Sequence, residues 1–548
     1  MPYGTDIKEI RLKSVDISKG TTLNYQVEDI IDFSTPKIFT VSSKNSSENW
    51  TVSCTVRQKQ AKVTSSNEEI EEGFNWAIDK TNQFVMTGKK GIVNKDENRP
   101  NGDGSGEKEY LPSYWAGYYD RTAFYGRDFV HQATGGHIAG LEDENFSMFK
   151  VFAKNATESR KWYTLWAFNF DGSAHTIDYK DDNVFVREVP AQFELVEKAY
   201  EQYLWSGDER YIYDDDLWNF YTKVMTDFVN LHDDQNPNGI AEGKGGIFQG
   251  SCTYNERGEH PIEAGDAIGS QYQATLAYAG MLEARGQEQE AKEWYKKADK
   301  LKKYFNEEWS IVDPDNKDDH YARIIDKDGN KKNDFGKENS WFMPMKLITE
   351  PGQRNDKYLD YISEKLGNGI GTTTEAPKNI EAYTYIPDTY FPYNRNEEAW
   401  KWMKYILSVR DEDHERPSQG TNGDYPEISF TVVSQTVEGM MGIEANAPKK
   451  SIITAPRLPG DVDWIKIDDL EMGEHEISVE HHGLNETILT NKAKNPLKWE
   501  ARFYGDYDYI NVNGKRVKAT QKEVNGVKVS YTKINVKKNE TVVAKVIK

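Results

Sequence analysis

Cysteine is nearly absent: Cys54 and Cys252 are the only two in 548 residues. They lie far apart and form no CxxC pair, which excludes a thiolate zinc or iron–sulfur centre. A chain of this length builds an ample core without needing a disulfide. Long apolar runs are missing too. No stretch approaches the roughly 20 residues that span a bilayer, and the opening MPYGTDIKEIRLKS lacks the apolar centre of a signal peptide. There is no block of basic residues: 69 Lys and Arg stand against 90 Asp and Glu, a net charge of −21 spread along the chain. Such a field repels polyphosphate, so nucleic acid and membrane surfaces are not expected partners. A GxSxG elbow, an HExxH helix, a Walker A loop and a GxGxxG strand-to-helix turn are all lacking.

What the sequence has in quantity is aromatic residues, 14 Trp, 22 Phe and 32 Tyr. Their flat faces with polar tips suit cores, interfaces and the C–H faces of sugars. Length allows roughly three domains. Residues 1–66 read as a small β region, with EIRLKSVDI, KIFTVSS and NWTVSCTVRQ alternating apolar and polar positions. From 67 to 447 the period becomes helical. Helices are expected near 119–139, 143–155, 190–205, 209–231, 266–285, 287–308, 355–366, 396–410 and 427–444, with weaker signals at 338–347 and 378–386 and a first helix from Asn67. The clearest pair, QYQATLAYAGMLEARG and QEQEAKEWYKKADKLKKYFNEEW, breaks at Gly286 and predicts an αα-hairpin. No fixed repeat length supports a solenoid. Residues 448–548 return to short strands with turns such as NG, the pattern of an antiparallel β-sandwich.

Three stretches gather charge at loop-to-helix junctions. In YLPSYWAGYYDRTAFYGRDFVHQ, Asp120, Arg121, Arg127, Asp128 and Gln132 crowd one helix start, where Arg–Asp forks hold either sugar hydroxyls or simply each other. GGIFQGSCTYNERGEHPIEAGDAIGSQYQA brings Glu256, Glu259, Glu263 and Asp266 ahead of a long apolar helix. A proton donor to a glycosidic oxygen is a carboxylic acid of raised pKa in a partly dry loop, and Glu263 and Asp266 are both open as that acid. In the third stretch Glu427 stands in the first turn of an apolar helix, where backbone N–H groups favour the anion a general base requires; a helix-start glutamate without catalytic role has the same pattern. A fourth feature is HDDQNPNGIAEG, with Asp234, Asn236 and Asn238 at alternate positions before Gly239. It opens like a calcium loop, but Gly245 stands where the closing glutamate belongs, so an Asx-rich turn competes with a structural calcium site. No cofactor is otherwise required.

The run FYGRDFVHQATGGHIAGL resembles the Trp/Tyr-x-Arg-Asp helix start of glucoamylases and related six-hairpin glycosidases, with Arg127 and Asp128 at the matching positions. REVPAQFELVEKAYEQYLWSGDERYI, the helix pair above and APRLPGDVDWIKIDDLEMGEHEISVEH are similar to stretches of rhamnosidase, trehalase and maltose-phosphorylase-like members. The likeness covers residues 67–480. It implies a mainly α fold, an (α/α)6 barrel between the N-terminal β region and a C-terminal β-sandwich, and a glycoside-cleaving pocket, usually inverting. By the same resemblance the acid falls at Glu263 and the base at Glu427. The chain departs from the trehalase signature with EAGDAIGSQ and lacks the rhamnosidase cysteine-containing motif, which leaves Asp266 in play as the acid and the sugar unassigned.

The resulting expectation is a glycoside hydrolase in which Glu263 or Asp266 protonates the leaving oxygen and Glu427 activates water. The two carboxyl groups would lie about 6.5 to 9.5 Å apart if configuration inverts. Arg127, Asp128, Asp120 and Gln132 would hold the sugar, and Trp115, Tyr118, Tyr119, Trp341 and Tyr383 would stack on it. One alternative is a uronate lyase drawing on Tyr119, Arg121 and His131, although an acidic chain is a poor host for a polyanion. The other is a carbohydrate-binding protein without turnover on the same scaffold. His131, His137, His481 and His482 are otherwise expected to be ordinary surface or core histidines. A degradative role outside the cytoplasm suits the β appendages; oligomeric state is not legible.

Overall fold

The computed structural model describes residues 7–12, 15, 17–54, 60–256, 258–317, 319–493 and 495–547. The chain divides into two units, Met1–Ala61 and Lys62–Lys548. In the first, Ile10–Arg11 pairs with Ile30–Ile31, and Thr22–Leu23, Lys37–Ser42 and Ser47–Val52 form a three-stranded antiparallel sheet. Its core is Ile31, Phe33 and Phe39, with Cys54 packed at the edge as a free thiol.

The second unit begins with strand Lys62–Ser65, which the sequence pattern had grouped with the N-terminal β region. It pairs instead with Trp464–Met472, nearly 400 residues later. Twelve helices are needed to locate the site: α1 Glu68–Gln83, α2 Gly126–Ile138, α3 Glu142–Lys154, α4 Val189–Ser206, α5 Asp215–Lys223, α6 Gly265–Ala284, α7 Glu288–Tyr304, α8 Glu338–Met345, α9 Gln353–Leu366, α10 Ile386–Tyr390, α11 Asn396–Val409 and α12 Pro426–Ser434. The even-numbered helices are neighbours in order. α2 packs on α4, α4 on α6, α6 on α8, α8 on α10, the turn before α10 on α12, and α12 on α2. Five of the odd-numbered ones lie against them: α3 on α2, α7 on α6, α9 on α8, α11 on α10 and α1 on α12; α5 packs on α3 and reaches α4 and α6 through the turn that follows it.

Composition explains this division. α6, GDAIGSQYQATLAYAGMLEA, buries residues on all its faces, as a helix surrounded by others must. Its hairpin partner α7 buries only Ala291, Trp294 and Ala298 and turns its Lys and Glu residues outward. Glycines permit close approach where even-numbered helices meet. A Cβ on Gly135 of α2 would lie 2.1 Å from the Phe430 carbonyl oxygen of α12.

Several expected helices are shorter than their periodicity suggests. The 119–139 signal becomes a loop, a strand Ala123–Tyr125 and then α2. The 209–231, 287–308 and 427–444 signals run through π-helical turns at Val224–Phe228, Phe305–Trp309 and Gln435–Met440. Beyond α12 lie two sheets. One has seven antiparallel strands, in the order Lys515–Lys518, Tyr509–Val512, Glu540–Val546, Glu486–Asn491, His475–His482, Trp464–Met472 and Lys62–Ser65. The other has five strands and is antiparallel except where Ser451–Thr454 runs parallel to Leu497–Tyr504. Alternate residues such as Ile465, Ile467, Leu497, Trp499 and Phe503 form their buried faces.

Candidate functional site

The first turns of the even-numbered helices bring carboxyl groups to one end of the helix assembly: Asp128 on α2, Glu188 just before α4, Asp266 on α6, Glu338 on α8 and Glu427 on α12. Extended residues Tyr125, Glu188, Ala264 and Tyr425 precede four of these helices, and Pro190 and Pro426 fit first turns that need no N–H donor. Helix N-termini favour acids, but burial here outweighs that preference. It pushes Asp266 up to about 7, with the charge of Glu338 adding to the effect. Burial, then the Glu427 charge, raises Asp128 to about 7 against the pull of Arg127 and the Tyr425 hydroxyl. Glu188 rises to about 8, again mainly through burial, opposed by Arg127 and reinforced by Glu256.

Arg127 stands among these groups. Its guanidinium donates to Glu256 at 3.2 Å and to the Tyr254 carbonyl at 3.3 Å, and lies over the Tyr254 ring. Its side chain is 24% exposed and that of Glu256 30%, so the pair opens to solvent where most of the surrounding carboxyls do not. Asp128 accepts from the Tyr425 hydroxyl. Glu427, almost wholly buried, bonds to His131 Nδ1 and accepts from Thr384 Oγ1 at 3.1 Å.

The sequence-predicted residues fall into three groups. Arg127, Asp128, Asp266 and Glu427 come together around this centre. Trp115, Tyr119, Asp120 and Gln132 form or support a rim. Trp115 and Tyr119 lie 4.4 Å apart between ring centroids, Tyr119 is 42% exposed, and Asp120 accepts from Ser418 Oγ at 2.7 Å. Gln132 is fully buried and donates to the Trp115 carbonyl, so it supports the rim from below and presents nothing to a ligand. Beside them Glu97 bridges Arg121 and Arg416, and Arg416 lies 3.8 Å over the Tyr118 ring.

The third group points elsewhere. Glu263 has no exposed surface and accepts from Asn236 at 2.6 Å, Asn238 at 2.9 Å and Trp309 Nε1 at 2.5 Å. It braces the 233–242 loop, and its pair of loop amides explains why the sequence pattern looked like a cation site. Asn236 and Asn238 aim amide N–H groups at a carboxylate, Asp234 pairs with Lys244, and Asn238 Oδ1 accepts from the Ile240 N–H. This is hydrogen-bonded Asx-rich loop geometry. Among the described residues no group of three or more Asp, Glu, His or Cys side chains is placed to hold a metal ion together. Trp341 and Tyr383 are entirely buried; Tyr383 packs on Trp402 and Tyr405 and donates to the Pro377 carbonyl. Neither presents a face for stacking on a sugar.

Sequence reasoning left out Glu188, Tyr254, Glu338, Tyr385 and Asp388, and assigned no role to Glu256 or to His131 in hydrolysis. A signal for two of them existed. Asp388 follows Pro387 at a helix start, as Glu427 follows Pro426, and Glu188 stands two residues before Pro190.

No protein-family model matches the chain, and no characterised protein matches it by sequence. Solved structures do. An α-L-rhamnosidase from Dictyoglumus thermophilum aligns at TM-score 0.56 and 13% identity, covering 92% of this chain and 52% of that one. The GH78 family rhamnosidase of Bacillus sp. GL1 aligns at TM-score 0.51 and 13% identity, covering 82% and 43%. The chain shares the fold of these glycosidases. It spans about half the length of each.

Proposed function

We propose that this chain is a glycoside hydrolase acting on an oligo- or polysaccharide, its twelve helices forming an (α/α)6 barrel whose even-numbered members line the pocket. The observation that carries the reading is the Arg127 centre. A partly exposed guanidinium is bound to one partly exposed carboxylate, Glu256, and is adjoined by the buried pair Asp128 and Glu427. Glu256 is the proton donor in this reading: the incoming sugar takes its place on Arg127, and the carboxyl, freed of that cation and shielded from water by the substrate, carries the proton to the glycosidic oxygen. Asp266 has no exposed atom and accepts from Thr253 Oγ1 and the Tyr254 N–H, while Glu263 is held by three donors away from Arg127. Glu427 is the base that activates water from the opposite side, and the bond breaks with inversion. Arg127 and Asp128 hold hydroxyls of the sugar, and Trp115 and Tyr119 offer a stacking surface at the rim.

The lyase reading has no comparable support. Arg121 is engaged by Glu97 and the Tyr125 hydroxyl, and His131 is bonded to two carboxylates away from Tyr119. The test is incubation with a broad panel of aryl glycosides and plant, microbial and animal glycans, following new reducing ends together with ultraviolet absorbance. Hydrolysis gives reducing ends without absorbance, and NMR of the first-formed anomer reads inversion or retention. E256Q and E427Q should each lower turnover by about 10²- to 10⁴-fold, with D266N much less affected. Absorbance rising with the ends would establish elimination instead. Glycan binding with no turnover, unchanged in E427Q, would establish a binding protein.

A further inference from the structure

One histidine in the interior is held from three sides. His131 lies one turn below Asp128 on α2. Its Nδ1 bonds to Glu427 Oε1, its Nε2 is 3.3 Å from Asp388 Oδ2, and its ring is stacked on Tyr385 with centroids 4.0 Å apart and planes 5° from parallel. Asp388 is fixed in turn by the Gln435 amide at 3.0 Å, which also donates to the Thr384 carbonyl at 2.6 Å. Thr384 Oγ1 closes the circuit on Glu427 Oε1.

The geometry sets the protonation state. A neutral imidazole carries one N–H, so it can satisfy only one of two flanking carboxylates; the imidazolium satisfies both. Glu427 also needs a cation, because a buried carboxylate beside Asp128 is costly as a lone anion. Arg127 is committed to Glu256 and the Tyr254 carbonyl. Both hydrogen bonds to Glu427 fall on Oε1, and no described residue donates to Oε2. That oxygen is left for a water.

We propose that His131 is a positioning residue that, as the imidazolium, holds Glu427 ionised and aimed through Oε2, with Asp388 and Tyr385 as its anchors. The proposal rests on the reading of Glu427 as the base. Burial alone would depress the imidazole, but its hydrogen bonds to Asp388 and Glu427 carry it up to about 9. The other groups facing this network are Arg127, Asp128 and Glu194 around Tyr385, and Glu438, Lys198 and Glu201 on the side of Asp388.

Two measurements on the full chain test it. In protein labelled at histidine Cε1, with H131Q identifying the signal, the His131 resonance should stay at the imidazolium position through pH 8, and both E427Q and D388N should move its midpoint to lower pH. With the glycoside that the panel returns, H131Q should reduce kcat about 100-fold with little change in KM, and should shift the ascending limb of the pH–rate profile to higher pH. D388N should shift it less. A His131 signal titrating in the ordinary histidine range, or an H131Q enzyme slowed with its pH limb unmoved, would overturn the proposal. A panel without turnover removes the reading of Glu427 as a base, while the NMR titration still decides the pairing.

Discussion

Asp266 shows how burial makes one residue's protonation a pH-dependent contribution to stability. In the folded chain it titrates at about 7, against 3.8 for an unperturbed aspartate, because burial penalises the charged form and the donors Tyr254 and Thr253 only partly compensate. Between those two values the folded protein keeps a proton that the unfolded chain releases. The group's contribution to stability is therefore fully present below about pH 4 and is lost as pH rises through about 7. The ceiling on this loss is about 4 kcal/mol, one factor of ten in the proton equilibrium costing about 1.4. D266N keeps an acceptor for both donors and cannot ionise. Its stability in urea relative to the natural chain should therefore improve steadily from pH 4 to pH 7; a difference that stays flat with pH would mean Asp266 is ionised in the fold. At this scale the sequence was informative about residue type and uninformative about direction. Glu263 and Asp266 are three positions apart and equally acidic, yet Glu263 faces the 233–242 loop and Asp266 faces Tyr254. Glu263 belongs to a two-residue strand paired with Ile324–Ile325, sixty residues away, and nothing in the local pattern announces that pairing. His131 was similarly opaque, since both its partners come from other helices.

Among the elements, the helices were the most legible because period and caps agree. Asn67 accepts from the Glu69 and Ile70 N–H groups at 3.0 and 3.4 Å and starts α1 where the sequence changes period. N67A should cost about 1 kcal/mol. The even-numbered helices were harder. Their residues are apolar on most faces, so the contrast that marks an amphipathic helix is weak in them, and short ones such as α10 and α12 continue into 3-10 or π turns that periodicity does not separate. Their close packing makes a firm prediction. Gly135 has the Phe430 backbone where a methyl group would go, and backbone cannot step aside as a flexible side chain can. G135A should destabilise the chain by about 1 to 3 kcal/mol. It should also weaken turnover, because α2 carries Arg127, Asp128 and His131 while α12 carries Glu427. In contrast, Gly286, in open space with φ +75° at the α6–α7 break, should resist substitution through backbone strain alone and leave the site undisturbed.

For the molecule as a whole, the boundary between β and helical regions is where strand pairing over long distance overrides reading along the chain. Strand Lys62–Ser65 has the same alternation as the strands before it, which is why a boundary at residue 66 follows from the sequence. Its hydrogen bonds, however, run to Trp464–Met472 from Ile465↔Ser65 to Asp468↔Lys62. Val63 is completely buried, and the Ser66 hydroxyl accepts from the Asp463 and Trp464 N–H groups. Residues 62–66 thus fasten the start of α1 to a sheet built from the far end of the chain. Two truncations separated by five residues should therefore behave differently. A chain beginning at Lys62 keeps every one of these bonds and should melt as the second unit does in the full protein. A chain beginning at Asn67 uncovers the edge of Trp464–Met472, removes Val63 from the core and leaves α1 tied only through its own packing. Losing Val63 alone forfeits roughly 1.5 to 3 kcal/mol of burial, and the exposed strand edge is a site for aggregation. Equal melting temperatures for the two truncations, measured by circular dichroism at matched concentration, would show that this strand contributes nothing and that the boundary lies at residue 66 after all.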